Sequence, residues 1–123
     1  MHNLPGTLAL TLFFSPSLNH YWRFVGSRVL ISRQGRAYRE TVRMILAAQR
    51  IEPLLGILAM EAEFYPPDRR RRDLDNLQKS LWDALQHAGA YQDDSQIYDF
   101  HAWKKDPVAG GQVTIQLRIL CAF

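Results

Sequence analysis

Between residues 54 and 89 a strand pattern, a double proline and a helix pattern follow one another without interruption. Leu58, Met60, Ala62 and Phe64 alternate along Leu54–Tyr65, which sets them on one face of a strand. Pro66 and Pro67 stop it, since proline has no N–H to give a ladder. From Asn76 onward Leu77, Leu81, Ala84, Leu85 and Ala88 recur at helical spacing, and Gly89 ends a helix over about 76–88. Ile97–Lys104 then reads as another strand. A strand running into a helix commits the chain to an α/β arrangement and puts residues 66–75 at a strand's carboxyl end, where such folds hold ligands.

The flanks extend this pattern. Thr7–Phe14 reads as a strand with Leu8, Leu10, Leu12 and Phe14 on one face, closed by Ser15-Pro16-Ser17. Phe24–Ile31 reads as a second, short strand, and Ser32 as the N-cap of a helix over about 34–50. Tyr38, Val42, Ile45 and Gln49 gather on one side of that helix. Asp106–Gly111 reads as a loop, and Val113–Cys121 alternates most cleanly of all. The expected order is β-β-α-β-α-β-β: α/β, with a mixed sheet and two main helices, and an antiparallel hairpin formed by the last two strands. At 123 residues, 1–123 is expected to form a single small domain.

Chemistry concentrates in Asp68-Arg69-Arg70-Arg71-Arg72-Asp73-Leu74-Asp75-Asn76-Leu77-Gln78-Lys79. Arginines to hold phosphate, two carboxylates to hold a divalent cation and a nearby amine are the parts of a metal-dependent phosphodiesterase. In extended chain residues two apart point the same way, so Asp73 and Asp75 converge if the lead-in is strand-like. Asp75 and Lys79 lie one helical turn apart, and the helix N-terminus favours an anion. A plainer alternative uses the aspartates to cap the helix and pairs Asp75 with Lys79. A second carboxylate pair follows in the polar turn Tyr91–Gln96, at Asp93 and Asp94, expected to fold back beside the first.

Charge is unevenly spread. Arg23, Arg28, Arg33, Arg36, Arg39, Arg43 and Arg50 face the single acid Glu40 across residues 20–50, while eleven of the twelve acids come after residue 50. The planar arginine fork suits bidentate phosphate contact. A basic first half and a carboxylate site in the second suggest a phosphate-bearing polymer. The stripe Arg36, Arg39, Arg43, Arg50 is either a DNA-facing surface or a solvated helix face. The aromatics of Asn19-His20-Tyr21-Trp22-Arg23 either stack on bases or anchor the loop on the core.

Other features exclude more than they assign. The lone Cys121, expected in the core, rules out a disulfide framework and a cysteine zinc site and fits a reducing, intracellular (cytoplasmic) setting. Leu8–Phe14 is too short to span a membrane and lacks the flanks of a signal peptide. His2, His20, His87 and His101 show no ligand spacing, Glu61 and Glu63 default to solvent, and no serine or cysteine nucleophile scheme finds support.

With Asp73-Leu74-Asp75-Asn76-Leu77-Gln78-Lys79, Asp83-Ala84-Leu85, Ala88-Gly89 and Asp93-Asp94 assembled, the sequence resembles the RusA family of Holliday junction resolvases. The likeness takes in Pro67–Arg72, Pro16-Ser17, Asn19, Tyr21 and Gly35–Arg39, and so covers the chain. Phe14-Ser15-Pro16-Ser17 departs from the paired prolines often found there. The resemblance implies a small α/β domain working as a homodimer, and resolution of four-way junction DNA by paired nicks in recombination and repair. It implies Mg²⁺ held by Asp73, Asp75 and Asp94, with Lys79 as the essential lysine. DNA contacts are expected from Arg69, Arg70, Arg71, Arg72, Asn19, Tyr21, Arg23 and Arg36, while Asp93 is expected to support the metal-holding aspartates or the local structure, with ligation of the ion as the lesser alternative. The apolar stretches Leu8–Phe14 and Val113–Cys121 are candidates for subunit surface. Two rivals stay open: a non-catalytic junction- or DNA-binding protein, and a metal-dependent nuclease acting on flaps or RNA.

Overall fold

The computed structural model describes residues 6–122, without the side chains of Leu18 and Asn19. His2 therefore lies outside the described residues. The elements run β1 (Thr7–Leu12), α1 (Leu18–Tyr21), β2 (Trp22–Val25), β3 (Arg28–Ile31), α2 (Arg33–Ala48), β4 (Ile57–Tyr65), α3 (Leu74–Ala88), a 3-10 turn (Asp94–Gln96), β5 (Ile97–Lys104) and β6 (Gln112–Cys121). The main sheet is mixed, in the order β1-β6-β4-β5, and two long helices accompany it as expected. Among the described residues no helix is long and apolar enough to cross a membrane.

Alternation decides which face the core takes. Leu8, Leu10, Leu12, Leu58, Met60, Ala62, Phe64, Val113, Ile115 and Leu117 are all buried. Leu77, Leu81, Ala84 and Leu85 from α3, with Tyr38, Val42 and Leu46 from α2, join the same cluster. Both apolar stretches considered as subunit surface thus spend their apolar face inside the protomer. Glu61 alternates with these core positions and lines the opposite face with Glu63, Thr11 and Thr114. Glu63 is paired there with Lys105 at 3.3 Å.

Four expectations change. First, β5 and β6 do not form a hairpin. Among the described residues β5 pairs only with β4, in parallel (Leu58↔Ile97 through Phe64↔Lys104), and β6 runs antiparallel on the other side of β4. The reason is the connecting loop: Lys105 N–H donates to Phe64 O (2.8 Å) and Val108 N–H to Pro66 O (2.9 Å), carrying the chain across the end of β4. Second, Phe24–Ile31 is not one strand. Gly26, with φ of 60°, reverses the chain, so β2 and β3 form a separate two-stranded sheet pairing Trp22 with Ile31 and Phe24 with Val29.

Third, Cys121 is exposed rather than in the core. The β4–β6 register shifts between Ile57 and Leu58, which breaks the alternation just where β6 ends. Fourth, Tyr91 is buried rather than part of a polar turn, its hydroxyl donating to Trp82 O at 2.7 Å. Strand and helix ends also move by one to three residues. β4 begins at Ile57 rather than Leu54, and α3 begins at Leu74 rather than 76, which draws Asp75 into the first helical turn.

Candidate active site and nucleic-acid interface

Asp73 is the N-cap residue of α3, in extended backbone, yet its side chain makes no capping bond. Asp75 lies in the first turn of the same helix, and Asp73, Asp75 and Lys79 are all exposed. Among the described residues none of the three has an ion-pair or side-chain hydrogen-bond partner. The plainer reading, capping plus an Asp75–Lys79 pair, therefore fails on both counts. Two unneutralised carboxylates at the positive end of a 15-residue helix are held by the backbone rather than by any partner.

The segment ahead of them is fixed at Arg72. Its Nη1 donates to Asp68 Oδ1 (2.7 Å) and its guanidinium lies over the Phe14 ring, 5.5 Å from the centroid. Arg72 O accepts from Lys104 Nζ at 2.6 Å. The Arg72 bond, with the Arg70 backbone N–H, holds Asp68 below its ordinary carboxylate range. Arg72 is thus a clamp. Arg69 and Arg71 are exposed with no side-chain partner among the described residues, and the Arg70 side chain, 85% exposed, makes only a 3.9 Å contact with Asp68.

An open groove runs past this cluster, lined by Arg70, Arg71, Arg72, Asp73 and Asn76 on one side and by Ser17, His20, Gln34 and Thr41 on the other. Its floor is pinned from both helices. Tyr38 Oη donates to Phe13 O (2.9 Å), Ser15 Oγ to Leu77 O (3.2 Å), and Ser80 Oγ to Pro16 O (2.5 Å). Sequence reasoning does not single out His20, Gln34, Thr41 or Asn76 as site residues. Asn76 beside the aspartates is the one legible signal, while Gln34 and Thr41 reach the groove only because α2 packs against α3.

The other expected DNA contacts divide. Tyr21 is wholly buried, and its hydroxyl donates to the Asp83 carboxylate. Arg39 Nε joins the same oxygen at 2.8 Å. Burial first, then the Asp83 bond, pushes the Tyr21 hydroxyl far above its ordinary range. Tyr21 is therefore a core anchor and not a base-stacking ring. Arg39 leaves the arginine stripe to serve that anchor, and Arg43 pairs with Glu40 at 2.5 Å. Arg36 is exposed, with Nη1 donating to Ile31 O (3.1 Å), and Arg23 is exposed on β2. The Asn19 side chain lies outside the described residues.

Asp94 does not fold back beside Asp73 and Asp75. β4 and β5 are parallel, so the turn before β5 sits at the start of β4, while Asp73 follows its end. Gln96 Nε2 donates to Gly56 O at 3.0 Å, and Gln86 Oε1 accepts the Asp94 N–H at 3.0 Å. Asp93 caps the turn by accepting Ser95 N–H at 2.8 Å, the supporting role expected of it. Burial, then the charges of Asp93 and Asp83, raise the Asp94 carboxyl above its ordinary value. Among the described residues no three His, Cys, Asp or Glu side chains gather as a metal-holding group. One protomer thus offers two oxygen donors at one end of α3 and a crowded carboxylate at the other.

The model of the family Endodeoxyribonuclease RusA matches residues 14–118. The chain belongs to the RusA family. It is 39% identical over 112 residues to the crossover junction endodeoxyribonuclease RusA of Shigella sonnei (strain Ss046), covering 90% of this chain and 93% of that one. The protein of the same name from Escherichia coli (strain K12) is 38% identical, and that of Enterobacteria phage 82 is 39% identical, over the same shares of each chain. Within this RusA-family chain, the matched segment runs from the Phe14 loop to β6 and so takes in the groove, α3 and the Asp94 turn.

Proposed function

We propose that this chain is a structure-specific endodeoxyribonuclease that resolves four-way DNA junctions by paired symmetric nicks, using Mg²⁺, inside the cell. The observation that carries the reading is Asp73, exposed and unpartnered among the described residues in the wall of a groove that Arg70 and Arg71 also line, with Asp75 likewise exposed and unpartnered two residues on in the first turn of α3. Family membership sets the reaction class, since the relatives are named crossover junction endodeoxyribonucleases.

The donor set fits a hard cation in part. Asp73 and Asp75 supply carboxylate oxygens of the kind Mg²⁺ takes while keeping several waters. The chemistry such an ion contributes is polarisation of the scissile phosphate and a more acidic bound water. Lys79, one turn along from Asp75, would orient that water or stabilise charge building on the phosphate. The free N–H groups at the start of α3 favour the same anion. Arg69, Arg70 and Arg71 would hold flanking phosphates.

Asp94 cannot join Asp73 and Asp75 within one protomer. A site using all three carboxylates needs a second copy of the chain, and a closed two-fold dimer supplies one while presenting two sites to the two symmetry-related strands of a junction. The homodimer is thus part of the proposal. Addition of Mg²⁺ to pure protein with labelled four-way junction, duplex, flap and RNA should give paired nicks in the junction alone. Asp75→Asn should abolish nicking while leaving junction binding intact. Metal-independent binding with uncut strands would favour the non-catalytic rival, and preferred cutting of flaps or RNA the other.

A further inference from the structure

Hairpin β2–β3 belongs to neither the main sheet nor the helical layer. Two-stranded sheets are marginal alone, and this one is held at its root. Trp22 packs edge-on against buried Tyr21 with ring centroids 5.2 Å apart, and Ser32 N–H donates to Tyr21 O at 3.0 Å. Tyr21 is in turn fixed by Asp83 and Arg39. Gly35 lets α2 come up against the same carbonyl, where a Cβ would collide with Tyr21 O. Such anchoring supports an exposed apolar tip: Phe24 is 67% exposed, Val29 opposite it 56%, and Val25 45%.

Charge indicates what the tip meets. No acid occurs before Glu40, and Arg23 and Arg28 on the hairpin have no partner among the described residues. A second copy would bring like charges together, whereas DNA phosphates would neutralise them. The root also borders the groove: Ser32 Oγ lies 2.5 Å from the carbonyl of His20, and His20 lines the groove together with Asp73. Apolar side chains on basic supports are how proteins part stacked bases in DNA.

Building on the junction-resolving reading, we infer that this hairpin is the element that recognises the branch point. Phe24 stacks on a base unpaired at the centre of the junction, and Arg23 and Arg28 grip the phosphates beside it. The hairpin then selects branched DNA over duplex, because a continuous stack offers Phe24 no free base face.

The test uses a four-way junction carrying 2-aminopurine at the branch point, in EDTA so that no strand is cut. Wild-type protein and Phe24→Tyr should raise the fluorescence as the base leaves its stack. Phe24→Ala should lose most of that rise and weaken junction binding by about tenfold, with duplex affinity within about twofold of wild type. An unchanged rise and an unchanged junction-to-duplex ratio in Phe24→Ala would overturn the inference while leaving resolution standing, provided the wild type still nicks junctions with Mg²⁺. Sedimentation of Phe24→Ala as a monomer where the wild type is a dimer would overturn it in favour of a surface between copies. Failure of the wild type to bind junctions at all would remove both this inference and the reading under it.

Discussion

Gln86 Oε1 accepts the backbone N–H of Asp94 at 3.0 Å. That bond ties the third carboxylate to the far end of α3, about 16 Å along the helix from Asp75 at 1.5 Å per residue. Subunits that each carry one defect should therefore rescue each other. A mixture of Asp75→Asn and Asp94→Asn proteins, each inactive alone, should regain nicking, because mixed dimers keep one site with both native groups. The resulting nick should fall on one strand only. A mixture as inactive as its parts, with mixed dimers demonstrated by mass, would show that the three carboxylates do not act across subunits.

The arginines of the basic run should separate by role. Replacing Arg69, Arg70 and Arg71 with Ala should flatten the salt dependence of junction binding by roughly 0.9 in log–log slope for each phosphate no longer neutralised. Arg72→Ala should instead lower the melting temperature, because that side chain holds Asp68 and covers Phe14. Salt titrations read beside melting curves check both. A flatter slope from Arg72→Ala with melting unchanged would reverse the assignment.

Asp83→Ala should cost about 2–3 kcal/mol of stability, since it leaves Arg39 and the Tyr21 hydroxyl without their partner in a largely enclosed setting. Urea unfolding measures it. A loss no larger than that of an exposed pair such as Arg43–Glu40 would mean that water replaces Asp83 freely.

Acid should narrow the stability gap between wild type and Asp94→Asn. Burial and the neighbouring charges of Asp93 and Asp83 raise the folded-state pKa of Asp94 above its ordinary 3.8. The charged form is thus disfavoured in the fold. The contribution of Asp94 to stability is fully present below the ordinary value and is lost as pH rises through the raised one. Without metal, Asp94→Asn should unfold at higher urea than wild type at pH 7, with the advantage vanishing near pH 3. An advantage that persists in acid would assign it to something other than charge.

Local chemistry was enough to lay out much of this protein. Alternation along Leu8–Leu12, Leu58–Phe64 and Val113–Leu117 names the buried face of three strands, because side chains of a strand alternate whatever the partner. Ser32 and Gly89 mark helix ends through short-range bonding and a left-handed backbone that sequence position alone implies. Asp73 at the N-cap, Asp75 in the first turn and Lys79 one turn beyond Asp75 are placed by the start of one helix, and that too is local.

What tertiary structure alone decided depends on pairings across many residues. Nothing within β5 or β6 says that the chain between them crosses β4 instead of turning back; the bonds from Lys105 and Val108 to Phe64 and Pro66 settle it. The parallel register of β4 and β5 then sends Asp94 to the opposite end of α3 from Asp73, although 21 residues of chain would allow either placement. The fates of Tyr21, Arg39 and Arg72 follow from the same cause. Tyr21 and Arg39 become a core anchor only because Asp83, 62 and 44 residues away, is packed against them, and Arg72 becomes a clamp by covering the distant Phe14 ring while it holds the nearby Asp68. Charge and aromaticity read along the chain cannot show which side chains the fold turns inward.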